Sequence, residues 1–172
     1  MTYFVYHTVA ATNYMEGVND MDYKVTVVEQ PARRLVGLCA RANMRETQKE
    51  CPALWEKFMP RMEELASIAE EGSFGASVNM EESGGFDYWA AMALPQGAKA
   101  PSGLDCLEVR GGKYAECVVE DMADLGAAYE YIYGEWGNTQ SDNRVDFTSA
   151  CLEFYPKDWK YGDPVTIYAP LH

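Results

Sequence analysis

Glu153 interrupts an otherwise apolar and aromatic segment, Cys151-Leu152-Glu153-Phe154-Tyr155. If this segment is a β-strand, Cys151, Glu153 and Tyr155 point to one face and the two residues between them point to the other. A carboxylate among such neighbours is costly to bury unless it finds a partner. Two interpretations are open: the carboxylate lies at an edge and reaches solvent or a lysine, or it is the anion of a pocket. A pocket carboxylate would select cationic ligands, or act as a general base with a pKa raised by desolvation.

Two tryptophans, Trp55 and Trp136, lie on the apolar faces of predicted helices. Each is either a core residue or the wall of a cleft between the helices, suited to stacking on a flat or cationic ligand. Tyr88 and Trp89 are neighbours on a predicted strand and point to opposite faces, so at most one of them belongs to such a pocket.

Three further residues are open to both a structural and a binding interpretation. Tyr114 and Tyr168 are strand aromatics that suit either a core or a cavity. Asn79 is polar between apolar neighbours, and it could hydrogen-bond a ligand or be satisfied within a turn. The candidate ligand-binding residues are therefore Glu153, Trp55, Tyr88, Tyr114, Trp136, Tyr155, Tyr168 and Asn79.

The charge balance argues against one class of function. The 172 residues include 27 acidic and 14 basic side chains, which gives a net charge of −13. This field repels phosphate backbones, so we expect no direct binding of nucleic acid. It favours cationic ligands, or simply keeps the protein soluble. The length fits a single domain with a sizeable core.

The histidines and cysteines are not spaced for metal or nucleophilic chemistry. His7 and His172 lie near the termini, which argues against a His-based metal site or a Ser-His-Asp triad. The five cysteines are odd in number and lack Cys-x-x-Cys spacing, which indicates reduced, buried thiols in a cytoplasmic protein. We therefore predict no metal, no cofactor, no membrane span and no export.

The hydrophobic pattern predicts the same series of elements in each half of the chain. In the first half these are a strand at 23–28, its continuation at 34–40 after a break at Pro31, a helix through Leu54 to Ile68, and strands at 74–80 and 86–94. In the second half they are a strand at 104–109, its continuation at 114–119, a helix at 122–136, and strands at 145–155 and 165–169. Pro52 is expected in the first turn of the first helix, and Gly72 at its end.

This repeated order favours an internal duplication. Local matches place residues 31–33 over 111–113, residues 79–81 over 151–153, and residues 94–95 over 169–170. The predicted fold is α+β: a duplicated βαββ unit whose antiparallel sheet carries two helices that form a central ligand cleft. The repeats cover about 21–96 and 103–172, and residues 1–20 are an N-terminal extension of unknown role.

Four short motifs, in order, resemble the gyrase-inhibitor-like domain, which is also the effector-binding half of AraC-type and MerR-type multidrug regulators. They are Trp55-Glu-Lys-Phe58, Gly111-Gly-Lys-Tyr114-Ala115, Leu152-Glu153-Phe154-Tyr155 and Ile167-Tyr-Ala-Pro170-Leu171. The resemblance covers about residues 23–172. It implies an effector-binding domain over 21–172, itself a duplicated βαββ unit.

The resemblance also implies a central cleft lined by aromatic residues, with the carboxylate of Glu153 at its base. The wall residues that it implies are Trp55, Tyr88, Tyr114 and Trp136. In the regulators of this family the corresponding glutamate meets lipophilic cations. Some stand-alone members are hydrolases that open cyclopropane rings of DNA-alkylating compounds, and they use this glutamate to activate water.

Three functions follow as alternatives. The first is an effector-binding domain for a lipophilic, cationic small molecule in transcription regulation or multidrug sensing. The first twenty residues leave no room for a helix-turn-helix, so this function implies a stand-alone sensor or a separate DNA-binding regulator. The second is a small hydrolase with Glu153 as general base. The third is an interaction protein whose acidic surface binds gyrase. The sequence does not predict the oligomeric state.

Overall fold

The computed structural model describes residues 23–172 of the chain, and the predicted extension at 1–20 lies outside them. The first half contains Val25–Gln30 (β1), Arg33–Asn43 (β2), Thr47–Ala66 (α1), Ser73–Val78 (β3) and Gly85–Leu94 (β4). The second half contains Asp105–Val109 (β5), Gly112–Val119 (β6), Leu125–Tyr131 (α2), Cys151–Tyr155 (β7) and Val165–Pro170 (β8).

The eight strands form one antiparallel sheet in the order β1-β6-β8-β7-β3-β4-β2-β5. The order is the same from either edge once each strand is replaced by its counterpart in the other half. The pair of β3 and β7 therefore lies at the centre of the sheet. The predicted α+β fold, with an antiparallel sheet and two helices, is confirmed.

The halves exchange their first strands. Strand β1 pairs with β6 of the second half, and β5 pairs with β2 of the first half. The prediction of a single interrupted strand in each half is therefore wrong: each break separates two strands with different partners. The two breaks lie against each other, because a Cβ at Gly111 would come within 2.7 Å of the Ala32 nitrogen. Only a glycine permits this approach.

Both helices cover the same face of the sheet. Helix α1 buries Leu54, Phe58 and Leu65 against β2 and β4. Burial of each such side chain stabilises the fold by roughly 1.5–3 kcal/mol relative to leaving it exposed. Helix α2 and the turn after it bury Ala128 and Ile132 against β6 and β8. A third apolar cluster fills the opposite face, which no helix of residues 23–172 covers.

The helix boundaries differ from the predicted ones. Helix α1 begins at Thr47, so Pro52 lies inside it rather than in its first turn. It ends at Ala66, before Gly72. At this position Pro52 lacks an N–H that the helix would otherwise use, so the ladder loses one hydrogen bond there. The predicted second helix is divided into a 3₁₀ turn, α2 and a π-helical turn at Ile132–Trp136.

Strand β7 begins at Cys151 rather than at Val145. Val145 forms only an isolated bridge with Leu171. The carboxylate of Asp146 then accepts hydrogen bonds from the backbone and side chain of Thr148 and from the side chain of Ser149. Local bonds of this kind compete with strand pairing, which explains the late start of the strand.

The cysteines are free, but they are not all buried as predicted. Cys117 and Cys151 are buried and Cys51 is half-buried. Cys39 and Cys106 are exposed. Cys39 lies on the helix-free face of the sheet and Cys106 lies on an edge strand, so an apolar neighbourhood in sequence does not bury either thiol.

Candidate functional site

Glu153 is the middle residue of β7, a strand that lies between β3 and β8. Only 8% of the residue is exposed. The interpretation in which its carboxylate reaches solvent from an edge is therefore wrong. The strand register places Glu153 between the apolar residues packed under α1 (the α1 cluster) and those packed under α2 (the α2 cluster). Its partner on β3, Gly75, pairs in turn with Ala90 of the α1 cluster. Cys151, on the same strand as Glu153, belongs to the α2 cluster.

Three tyrosine hydroxyls donate hydrogen bonds to the Glu153 carboxylate. Oε2 accepts from Tyr88 on β4 and from Tyr155 on β7, each at 3.0 Å. Oε1 accepts from Tyr129 on α2 at 2.9 Å. The ion pairs found within residues 23–172 do not include Glu153. Its negative charge is stabilised by hydroxyl dipoles rather than by a cationic side chain.

Helix α1 supplies two more residues to this site. The indole N–H of Trp55 donates to Tyr88 Oη at 3.1 Å and thereby extends the network. The edge-on contact of Trp55 with Tyr155 has a centroid distance of 5.3 Å. Cys51 lies one helical turn earlier, and its pKa is raised to about 12, chiefly by burial and then by the charge of Glu153. Cys51 is therefore a neutral thiol beside the carboxylate.

Burial raises the pKa of Glu153, and the hydrogen bonds from its three tyrosines offset only part of this effect. Burial and then the charge of Glu153 raise the pKa of each tyrosine well above its usual value. The hydroxyls therefore remain protonated and continue to donate. The site can hold one buried anion, or one carboxyl proton, among aromatic rings.

The structure brings Trp55, Tyr88 and Tyr155 together with Glu153, as one predicted pocket requires. Trp136 is half-buried at the end of the π-helical turn and packs against the α2 cluster. It therefore shares the helix-covered face with Glu153. Trp89 lies on the opposite face, so of these two neighbours only Tyr88 shares the face of Glu153.

Three predicted residues do not join Glu153. Tyr168 packs on the opposite face, because it alternates with Ile167, which faces the helices. Tyr114 alternates in the same way on β6, and its hydroxyl donates to the Arg110 carbonyl at 2.7 Å. Asn79 lies in an exposed turn with φ of 54°, and its amide donates to Asp87. The structure therefore does not bring these three residues together with Glu153, and a ligand-binding role for them stays a prediction.

Two residues next to Glu153 or Tyr155 were not among the candidates predicted from the sequence, Tyr129 and Trp159. Tyr129 lies at helical spacing before Tyr133, and that spacing was the available signal for an inward-facing residue. Trp159 lies in the loop between β7 and β8, and its ring meets Tyr155 at a centroid distance of 5.1 Å. Nothing in the loop sequence indicates that contact.

A family model of integron-associated effector binding proteins, Cass2, matches residues 26–171. The match covers most of the chain. The chain belongs to this family of integron-associated effector binding proteins. The predicted resemblance to gyrase-inhibitor-like effector-binding domains is thereby confirmed.

Solved structures show the same fold for this effector-binding protein. The structure of SAV2435 bound to tetraphenylphosphonium has a TM-score of 0.67 and 16% identity, and the match covers 88% of this chain and 94% of that one. An integron cassette protein from the mobile metagenome of Vibrio cholerae has a TM-score of 0.58 and 17% identity, with 87% and 97% covered. The EcmrR C-terminal domain has a TM-score of 0.57 and 13% identity, with 88% and 99% covered. At such identities the likeness establishes the fold alone.

Comparison of this effector-binding protein with curated protein sequences gives no match. Within residues 23–172, no helix is both long and apolar enough to cross a membrane. The same residues contain no cluster of His, Cys, Asp and Glu arranged to hold a metal ion.

Proposed function

We propose that this protein binds a lipophilic cation, with Glu153 as the charge partner of the ligand. The observation that carries the proposal is the 8% exposed carboxylate that three tyrosines hold without an ion-pair partner among the described residues. A charge removed from water is normally paired. A cationic ligand supplies that missing partner.

The hydrogen bonds already made at Glu153 favour ligands with a diffuse charge. Oε2 accepts two hydrogen bonds and Oε1 accepts one, so the carboxylate has little capacity left for a donor. Trp55 and Tyr155 offer aromatic surface beside it, which suits cation–π contact. A quaternary phosphonium or ammonium ion with apolar substituents satisfies both conditions better than a small protonated amine.

The test is a titration of the protein with tetraphenylphosphonium by calorimetry. The expected result is binding that is at least tenfold weaker in Glu153→Gln, which preserves the shape of the side chain and removes its charge. Glu82→Gln, an exposed charge change, is the matched control and should bind as the unsubstituted protein does. Equal affinity of the Glu153→Gln variant and the control would contradict the proposal.

We further propose that the bound state is reported to a separate DNA-binding protein. The net charge of −13 opposes direct contact with DNA, and the fold is that of the C-terminal domain of EcmrR, a protein whose complex with DNA has been solved. The expected result is a DNA-binding protein that co-purifies with the chain and whose association changes when tetraphenylphosphonium is added. If gyrase co-purifies instead and no cation binds, the interaction-protein alternative replaces this proposal.

Hydrolysis of a strained electrophile is the second candidate function. It is favoured by the raised pKa of Glu153, which suits a general base that takes a proton from attacking water. The expected result in this case is turnover of a cyclopropane-containing substrate that Glu153→Gln abolishes while binding of that uncharged substrate persists. Absence of turnover in the unsubstituted protein would leave the binding function alone.

A further inference from the structure

The loop between β7 and β8 places a second tryptophan beside the tyrosine that holds Glu153. The ring of Trp159 meets Tyr155 edge-on, with centroids 5.1 Å apart and an interplanar angle of 82°. Trp55 meets the same tyrosine from helix α1. Tyr155 is therefore flanked by two indoles, one from a helix and one from a loop.

The position of Trp159 is fixed by the backbone of its own loop. Its indole N–H donates to the carbonyls of Asp163 and Pro164, at 3.0 and 3.1 Å. The backbone N–H of Lys160 donates to the Asp163 carboxylate, which closes the same loop. The donor of the indole is thus occupied, and only its aromatic surface remains for a ligand.

Exposure changes along this row of aromatic rings. Tyr155 is 7% exposed and its hydroxyl touches the carboxylate, whereas Trp159 is half-buried. The row therefore runs from the buried charge to the surface of the protein. A small cation at Glu153 lies one ring away from Trp159, and a ligand needs an apolar arm to reach it.

We infer that Trp159 forms the outer wall of the Glu153 site and selects cations that carry large aromatic substituents. This inference rests on the proposed function, since it assumes that a cation occupies the site. Glu153 interacts with the charge of the ligand, and the indole of Trp159 contacts its substituents only if they are large enough to reach it. Aromatic contact with a fixed ring favours such substituents over short alkyl ones.

The test compares two permanent cations, tetraphenylphosphonium and tetraethylammonium, in calorimetric titrations. In Trp159→Ala we expect tetraphenylphosphonium to bind about tenfold more weakly, the loss of one good aromatic contact with its buried area. Binding of tetraethylammonium should change less than about twofold. Trp159→Phe should restore part of the loss, because it returns an aromatic ring but not the indole N–H that fixes the ring to the loop backbone.

Tyr161→Ala is the matched control, since Tyr161 lies in the same loop and is 89% exposed. It should leave both affinities unchanged. Thermal unfolding of each variant shows whether the substitution removes a ligand contact or disorders the loop. If Trp159→Ala weakens the binding of both cations equally, the inference is overturned. If tetraphenylphosphonium binds and needs Glu153 but is indifferent to Trp159→Ala, the inference is wrong and the proposed function stands. If neither cation binds the unsubstituted protein, both are wrong.

Discussion

Gly75 and Glu153 are direct cross-strand partners at the centre of the sheet, and the missing side chain of Gly75 makes room for the carboxylate. A Cβ at Gly75 would lie 2.5 Å from Tyr88 Oη and 2.6 Å from Glu153 Oε2. Both oxygens belong to one hydrogen-bonded network, so neither moves without breaking a bond to the other. The glycine is therefore a condition for the network.

Replacing Gly75 with alanine should damage the site more than the fold. The added methyl group displaces the Tyr88 hydroxyl or the Glu153 carboxylate, and we expect tetraphenylphosphonium binding to weaken at least tenfold. Gly126→Ala is the control, because a Cβ at Gly126 in α2 meets nothing within 4 Å. Calorimetry with circular dichroism checks both variants, and unchanged binding in Gly75→Ala would contradict the role assigned to the glycine.

The buried charge of Glu153 should reduce the stability of the ligand-free protein. Burial raises the pKa of this carboxyl in the folded state, so the folded protein holds the proton more tightly than the unfolded chain does. The loss of folding stability caused by the buried charge is therefore complete at a pH above the pKa of the folded state. It decreases as the pH falls through that pKa toward the pKa of the unfolded chain. At pH 7.5 we expect Glu153→Gln to unfold a few degrees higher than the unsubstituted protein.

Differential scanning calorimetry from pH 7.5 to pH 4 checks this sign. The difference in melting temperature between the two proteins should shrink as the pH falls, because the carboxyl becomes neutral like the amide. The exposed change Glu82→Gln should show no such convergence. A Glu153→Gln variant that is less stable at every pH would show that the charge itself stabilises the fold.

Each tyrosine hydroxyl should lower the pH at which the site loses its charge. Removing a donor, as in Tyr129→Phe, removes one of the hydrogen bonds that lower the pKa of Glu153, so that pKa rises further. Since a permanent cation binds the ionised carboxylate, the fall in affinity on acidification should begin at a higher pH in the variant. Titrations with tetraphenylphosphonium at several pH values measure this shift, and Tyr161→Phe should show none.

Asp146 should matter for stability rather than for ligand binding. Although burial acts in the opposite direction, hydrogen bonds from Ser149, Thr148 and Arg110 hold the pKa of its carboxyl well below the usual range. The ionised carboxylate therefore stabilises the folded protein at a pH above the pKa of the unfolded chain. This stabilisation is lost as the pH falls through the lower pKa of the folded state. We expect Asp146→Asn to reduce the free energy of unfolding by about 2 kcal/mol at pH 7. Denaturant unfolding measures this, with the exposed change Asp142→Asn as control.

Alternation along β7 was enough to predict which side chains share the face of Glu153. A strand has a local period of two, so Cys151 and Tyr155 had to lie with the carboxylate. The same rule could not tell which face of β6 or β8 the helices would cover. The covered face depends on the paths of the helices across the sheet. Those paths leave Tyr114 and Tyr168 on the face opposite to Glu153.

The exchange of β1 and β5 between the halves also lies beyond local sequence reasoning. Only two residues separate β1 from β2, and the pattern of the combined segment is that of one interrupted strand. Pairing with the other half is a contact between residues distant in sequence, which no short window contains. Helical spacing could have marked Tyr129 as an inward-facing residue, but its hydrogen bond to Glu153 on β7 is again a contact between residues distant in sequence.

The predicted repeat superposes residues 79–81 on residues 151–153 and so makes Glu81 the counterpart of Glu153. This match is wrong. Glu81 follows β3 in an exposed turn and forms an ion pair with Arg41. When the break between β1 and β2 is superposed on the break between β5 and β6, the sheet registers place Gly75 at the position of Glu153. The acid therefore has a glycine as its counterpart.

The central pair of the sheet has a consequence for how such a site can arise. A symmetric dimer of two identical half-length chains would carry the same residue at both central positions. Two glutamates there would face each other as direct partners, with Cβ atoms about 5 Å apart, and their repulsion would keep one of them neutral. Joining the halves in one polypeptide removes the requirement for identity. One half can then carry the acid while the other provides the space that the acid occupies.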